Sequence, residues 1–244
     1  MSRPASTIAA NHHTALMSRP PLFRAAIFDM DGLLLDSERP IRDAWLQASR
    51  ELGAPLDPLQ YLEVVGRNET DSRALLQQRL GPTCSYDAVR ERATALLAEV
   101  LAARGYGVKA GVVSLLQALR ERGVPCVVAS STHRAEVEFR LTQALLAPFF
   151  SGFNGGDEVT RGKPHPDLFL LAARRLQQAP SDCLVFEDSE HGARGALAAG
   201  MGVVIVPDLK TPSADARTAS LAVLESLHDA QAQLDTWFGG RASP

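Results

Sequence analysis

Apolar and polar positions along the chain alternate with three different rhythms. Residues 1–22 carry Pro, Ser, His and Ala with no apolar period, which predicts a disordered N-terminal tail. Met-Ser-Arg-Pro occurs at 1–4 and again at 17–20, marking Met17 as an alternative start. A continuous apolar run over 24–28 then predicts a buried strand. From there the period lengthens. Ile41, Trp45, Ala48 and Leu52 recur at helical spacing, and Gly53 and Pro55 stop the helix predicted over 38–52. Further helices are predicted around 58–65, from a Thr70-Asp71 cap to Leu80, and from a Ser85 cap to Arg104 before Gly105. This block contains no predicted strand.

From Gly111 the rhythm alternates. Helices are predicted over 112–122, 133–146, 166–178 and 191–199. Strands are predicted at Val124 to Ala129, Phe149 to Phe153, Cys183 to Phe186 and Val203 to Val206, with a last strand and helix over 221–237. Strands that are unbroken Val-rich runs, alternating with helices, imply a parallel sheet covered on both faces. The fold class is therefore α/β: a doubly wound, Rossmann-like core over 23–37 and 109–238, with an all-helical cap inserted over 38–108.

Composition adds limits. With 244 residues, 45% of them hydrophobic, the chain can bury a core and a smaller second unit. A net charge of −3 with both signs interspersed implies neither a nucleic-acid footprint nor a polybasic membrane patch. No apolar run approaches the roughly 18 residues of a membrane span, and residues 1–22 lack a secretory apolar core. The expectation is a soluble, cytoplasmic protein, a monomer or small homo-oligomer, whose Cys84, Cys126 and Cys183 are reduced and buried. Only three of its 25 basic residues are lysines: Lys109, Lys163 and Lys210. A lysine here departs from the chain's habit.

Polar groups collect at the ends of the predicted strands. Asp29 and Asp31, two residues apart before Gly32, stand at the end of the first. Open α/β sheets place their ligands at that edge, and two acids so close repel unless a cation or a shared proton relieves them. Asp36 and Ser37 follow, at the start of the passage into the helical block. Ser130 is the first hydroxyl after another strand; with Ser131 and the following helix N-terminus it can bind an anion, although Ser131 and Thr132 can equally be helix caps. Lys163 lies between Gly162 and Pro164, where a point cation can balance carboxylates and a phosphoryl group, while Asp167 reads as the cap of the next helix. Glu187-Asp188-Ser189 ends a later strand with a second acid pair, and oxygen donors of this kind suit Mg²⁺.

Taken in order, Asp29-Met30-Asp31-Gly32, Ser130, Lys163 with Pro164-x-Pro166-Asp167, and Glu187-Asp188-Ser189 resemble the four motifs of the haloacid dehalogenase superfamily. The helical insertion resembles the cap of its phosphatase and β-phosphoglucomutase branch. The resemblance implies that Asp29 is the nucleophile and Asp31 the acid and base. It implies Mg²⁺ held by Asp29, the Asp31 carbonyl and Asp188 with Glu187 in support, and phosphoryl oxygens held by Ser130, Ser131 and Lys163. Dehalogenases lack the second aspartate, so Asp31 implies phosphoryl transfer. The mutase's histidine after the first motif is Ile41 here. Its cap arginine falls on Glu69, with Arg67 close by as a substitute, which favours hydrolysis over a phosphomutase. The resemblance thus implies a Mg²⁺-dependent phosphatase of a small phosphorylated metabolite, a sugar or polyol phosphate, with Gly66 to Asp71 facing the substrate. A receiver-type phospho-acceptor module also uses a strand-end Asp, a hydroxyl and a lysine. Receivers are shorter, however, and have neither a helical insertion nor an acid two residues after the acceptor.

Overall fold

The computed structural model describes residues 22–65 and 69–239, with the side chains of Glu69 and Thr70 excepted. Strand β1 (Ala25–Phe28) is buried throughout. It leads through a turn and the two-residue β2 (Leu35–Asp36) into α1 (Glu38–Glu51), α2 (Pro58–Leu62), α3 (Glu69–Leu80) and α4 (Tyr86–Arg104). The chain returns through β3 (Gly107–Val108), then runs α5 (Val112–Glu121), β4 (Cys126–Ala129), α6 (Arg134–Gln143), β5 (Phe153–Asn154), α7 (Asp167–Leu176) and β6 (Cys183–Glu187). Last come α8 (Glu190–Ala198), β7 (Gly202–Ile205), α9 (Ala214–Ala219), β8 (Ala222–Val223), α10 (Leu227–Ala230) and α11 (Leu234–Phe238).

Six strands form one parallel sheet in the order β5-β4-β1-β6-β7-β8. The chain steps outward from β1 to β4 and β5, then crosses to β6 on the other side of β1, so the order reverses at β1. Side chains alternate across it as the two-residue strand period requires. Ala26 and Phe28 join the apolar layer under α5, α6, α10 and α11, whereas Ala25 and Ile27 join the layer under α7 and α8. Phe28 stacks on Phe186 of the neighbouring strand with centroids 4.8 Å apart. The α/β doubly wound class is thereby the observed one. A third apolar cluster, built from α1, α2, α3 and α4 around Tyr61, Leu76, Val89 and Leu96, is separate from both sheet layers.

Several local expectations change. Helix α3 begins at Glu69, so Thr70 and Asp71 lie inside it instead of capping it. The N-cap of α6 is His133, not Ser131 or Thr132. Asp167 is the first residue of α7 and pairs with Arg161 at 3.0 Å, leaving the cap position to Pro166. Strands β2 and β3 were not predicted; they pair antiparallel, Leu35 with Val108 and Asp36 with Gly107, where the chain enters and leaves the helical block. The three cysteines are buried and free, and burial pushes the Cys126 and Cys183 thiols up to about 12 and about 11, which makes them poor nucleophiles. Residues 1–21, the body of the predicted tail, and Arg67 lie outside the described residues. Among the described residues, no helix is long and apolar enough to cross a membrane.

One carboxylate ties both passages to the core. The Asp208 side chain, fully buried in the loop after β7, accepts from Arg39 at 2.5 Å, just beyond β2, and from Lys109, just beyond β3. Its other oxygen has no hydrogen-bond partner among the described residues. Removing a buried carboxylate that serves two cations costs more than losing a surface pair, but Arg39 is 42% exposed and softens the loss. Asp208→Ala is expected to lower unfolding stability by about 2 kcal/mol, or roughly 5 °C in Tm. Limited proteolysis near residues 105–110 is expected to speed up with it. Wild-type values in both measurements would show that Asp208 does not anchor the passages.

Candidate active site

Register builds the site. Phe28 pairs with Phe186 on one side and with Val128 on the other, so Asp29 emerges opposite Glu187 and beside the end of β4, where Ser130 follows. These ends lie at the carboxyl edge of a parallel sheet where the strand order reverses, the place where open α/β sheets bind ligands. Lys163 arrives from the loop before α7. Its ammonium donates at 2.5 Å to Asp29 Oδ1 and at 2.5 Å to Glu187 Oε1.

The two acid pairs differ in their surroundings. Glu187 is fully buried and satisfied: Oε1 accepts from Lys163, and Oε2 accepts from the Asp188 and Ser189 N–H groups and the Ser189 hydroxyl. Gly192 makes this packing possible, because a Cβ there would fall 1.8 Å from Glu187 Oε1. Asp188 points instead toward the first loop. A Cβ on Gly32 would lie 2.3 Å from its Oδ2, and Gly32 also has φ +80°, so two constraints call for glycine there. Asp29, Glu187 and Asp188 each offer an oxygen within 4.8 Å of the others'.

Electrostatics follows from that crowding. Burial first, then Glu187 and Asp31, push the Asp29 carboxyl well above its usual range, with Lys163 pulling the other way. Burial, then Glu187 and Asp29, push Asp188 up as well. For Lys163, burial works against the charge, but Asp29 and Glu187 outweigh it and hold the ammonium protonated. Carboxylates crowd this end of the sheet, Asp29 beside Glu187 and Asp31, and Asp188 beside Glu187, Asp29 and Glu38, while Lys163 is the cation bonded to Asp29 and Glu187. Asp29, Glu187 and Asp188 thus present only oxygen donors to one another, and all-oxygen donors suit a hard divalent cation. The residues present therefore fit such a metal, with Asp29 and Asp188 able to ligate it and Glu187 occupied as the counter-ion of Lys163.

Asp31 is held from the other side. Its Oδ2 accepts from the Thr132 hydroxyl at 2.9 Å, and its Oδ1 pairs with Arg140 at 3.2 Å. Ser130 is 1% exposed, and its oxygen accepts the Thr132 N–H at 3.1 Å. Ser131 is exposed and is not drawn into the cluster, whereas Thr132 is. Of the cap positions, Arg67 lies outside the described residues and the Glu69 side chain is not described, so neither is placed. Next to Asp188, a cavity of about 170 Å³ lies between residues 188–191 at the start of α8, the 209–212 loop and Val65, three residues beyond α2. Among the described residues, its one aromatic lining side chain is His191. There Lys210 donates to the Val65 carbonyl at 3.2 Å, so each of the three lysines serves the site or its rim.

Residues 23–200 match the haloacid dehalogenase-like hydrolase family, and the chain belongs to it. Within that family the chain groups with the phosphoric monoester hydrolases. It is 31% identical to the bifunctional riboflavin kinase/FMN phosphatase of Arabidopsis thaliana, across 88% of this chain but 56% of that longer protein. It is 31% identical to (DL)-glycerol-3-phosphatase 1, mitochondrial, of the same plant, across 94% of this chain and 78% of the other. The crystal structure of a HAD family hydrolase from Deinococcus radiodurans R1, with bound phosphate and sodium, superposes with a TM-score of 0.72 at 31% identity, covering 88% of this chain and 96% of that one.

Arg140 and Asp208 were not singled out from the sequence, and Thr132 was read only as a possible helix cap. Arg140 sits four residues after Glu136, which reads as an ordinary surface pair on a helix. Only Lys109 carried a signal, its rarity. Glu38 is partly buried, and burial, then Asp31 and Asp208, push its carboxyl up to about 7 from 4.5. Between those values the unfolded chain loses a proton that the folded chain keeps, so stability falls as pH rises through the window and levels off above it. Glu38→Gln is expected to flatten that segment of the stability curve, raising Tm at pH 7.5 but not at pH 4. Equal Tm changes at both pH values would count against the shift.

Proposed function

We propose that the chain is a Mg²⁺-dependent phosphatase of small phosphate monoesters, sugar or polyol phosphates, working through an aspartyl-phosphate on Asp29. The observation that carries the proposal is the shared Lys163 ammonium between Asp29 and Glu187, with the Asp188 carboxylate in reach of both. Mg²⁺ would be held by the Asp29 and Asp188 carboxylates and the Asp31 carbonyl, and when bound it offsets charge on the phosphoryl oxygens. The remaining work belongs to the chain. An Asp29 oxygen attacks phosphorus as the ester P–O bond breaks, and Asp31 gives its proton to the leaving alkoxide. Asp31 then takes a proton from water, whose oxygen bonds to phosphorus as the Asp29–phosphorus bond breaks and inorganic phosphate leaves. Lys163, Ser130 and Ser131 hold the phosphoryl oxygens, while the Thr132 hydroxyl stays on Asp31.

In this reading residues 23–37 and 109–238 form the catalytic core and 38–108 a cap that closes over the substrate, with Arg67 and Glu69 facing it. Passages β2 and β3, joined to Asp208, are the hinge. The cavity beside Asp188 receives the leaving group. At about 170 Å³ it is smaller than the roughly 300–1,000 Å³ of drug-sized sites, and Ser189, His191, Lys210 and Thr211 give it polar walls. A short hydroxylated carbon chain fits that description, and glycerol 3-phosphate, named for the relative above, is of that size. Reduced buried cysteines suit a cytoplasmic setting.

The test is a phosphate-release screen with Mg²⁺ over sugar phosphates, polyol phosphates, phosphoglycolate, nucleotides and FMN. Polyol or sugar phosphates are expected to be hydrolysed fastest, with activity lost to EDTA and restored by Mg²⁺. Asp29→Asn is expected to lower kcat by about 10³-fold or more. Asp29→Asn activity comparable with wild type would overturn the nucleophile assignment. Transfer of the phosphoryl group to another hydroxyl without phosphate release would make the chain a mutase.

A further inference from the structure

The strongest feature that the proposed chemistry leaves unused is the far side of Asp31. Arg140, at the end of the second turn of α6 and outside all four motifs, has a side chain only 18% exposed. Its guanidinium is fixed by three neighbours: Nη1 pairs with Asp31 Oδ1 at 3.2 Å, Nε donates to Glu136 Oε1 at 2.7 Å, and Cζ lies 4.8 Å from the Tyr106 ring centroid. Tyr106 directly precedes β3. With Thr132 on Oδ2, both Asp31 oxygens are engaged by groups that the fold holds still.

From this geometry we infer that Arg140 is a positioning residue for Asp31, fixing its carboxylate through the planar guanidinium while Glu136 and Tyr106 fix the guanidinium itself. The inference rests on Asp31 being the proton donor and acceptor. A flexible carboxylate two residues from Asp29 has several rotamers to choose from, and a misplacement of about 1 Å costs on the order of 10²-fold in rate. Lysine cannot replace the fork, because one ammonium on a mobile stem does not serve Glu136 and Asp31 in fixed directions while stacking on Tyr106.

Positioning of a proton donor has a kinetic signature that general loosening of the site lacks. An aryl phosphate with a good leaving group needs no proton in the first step, whereas an alkyl phosphate does. Rapid-quench measurement of the first-turnover burst on p-nitrophenyl phosphate and on an alkyl phosphate accepted by the enzyme separates the two. Asp31→Asn serves as the reference, and thermal melts check that each variant folds.

Arg140→Met is expected to leave the aryl burst rate within about threefold of wild type and to lower the alkyl burst rate by about 30-fold or more, following the Asp31→Asn pattern. Arg140→Lys is expected to recover only part of that loss. Tyr106→Leu is expected to show the same pattern at about threefold to tenfold, and Tyr106→Phe, which keeps the ring, to stay close to wild type. If Arg140→Met lowers both bursts by one factor, or neither, the positioning role is wrong. If Asp31→Asn itself shows no difference between the substrates, it is the acid/base assignment that fails.

Discussion

The ammonium of Lys163 between Asp29 and Glu187 is the contact on which the rest of the site depends. Parallel register sets these two carboxylates opposite each other on adjacent buried strand ends, where burial and mutual repulsion both oppose their charge. One point cation, itself almost buried, lets them coexist. Lysine suits the position because its compact charge reaches both oxygens, and removing it would strand two charges in a poorly solvated place, a change that typically costs several kcal/mol.

From that contact the arrangement spreads in two directions. Toward β6, Glu187 is consumed by Lys163 and by three donors of the next loop, which leaves Asp188 with Asp29 to accept a cation. Toward β4, Asp31 turns away from the acid cluster to Thr132 and Arg140, so the two aspartates of the first motif occupy different electrostatic surroundings although they are two residues apart. The same loop carries the chain to β2 and to the Asp208 tie. The proposed nucleophile, the proposed acid/base group and the entry to the helical block are thus built from one stretch, residues 28–39, with Arg39 closing it onto Asp208.

What the sequence made legible was whatever repeats or stands at an element's end. The strand over 24–28, the alternation after Gly111 and the strand-end placement of Asp29, Ser130 and Glu187 follow from period and position alone, and they lie where expected except that the strand predicted at 149–153 is a 3-10 turn at Ala147–Phe149 followed by the short β5 at Phe153–Asn154. Lys163 was visible because lysine is scarce in this chain. Elements of two residues, β2 and β3, carry no period to detect, and α9 was passed over as part of a loop. Side chains that act through long-range pairing were hidden for a related reason. Arg140 meets Asp31 across 109 positions and Lys109 meets Asp208 across 99, and nothing local distinguishes such residues from solvated surface charges.

The central claim is that Asp29 carries the phosphoryl group during turnover. The most direct measurement is an acid quench of the Mg²⁺-loaded enzyme mixed with an accepted phosphate ester, followed by peptide mass spectrometry of the trapped protein. One phosphoryl group is expected on the peptide holding Ala26 to Leu35, fragmenting to Asp29, and absent when Asp29→Asn is treated alike. A phosphoryl group found on another residue, or full turnover by wild-type enzyme with no trapped phosphopeptide at any quench time, would contradict it.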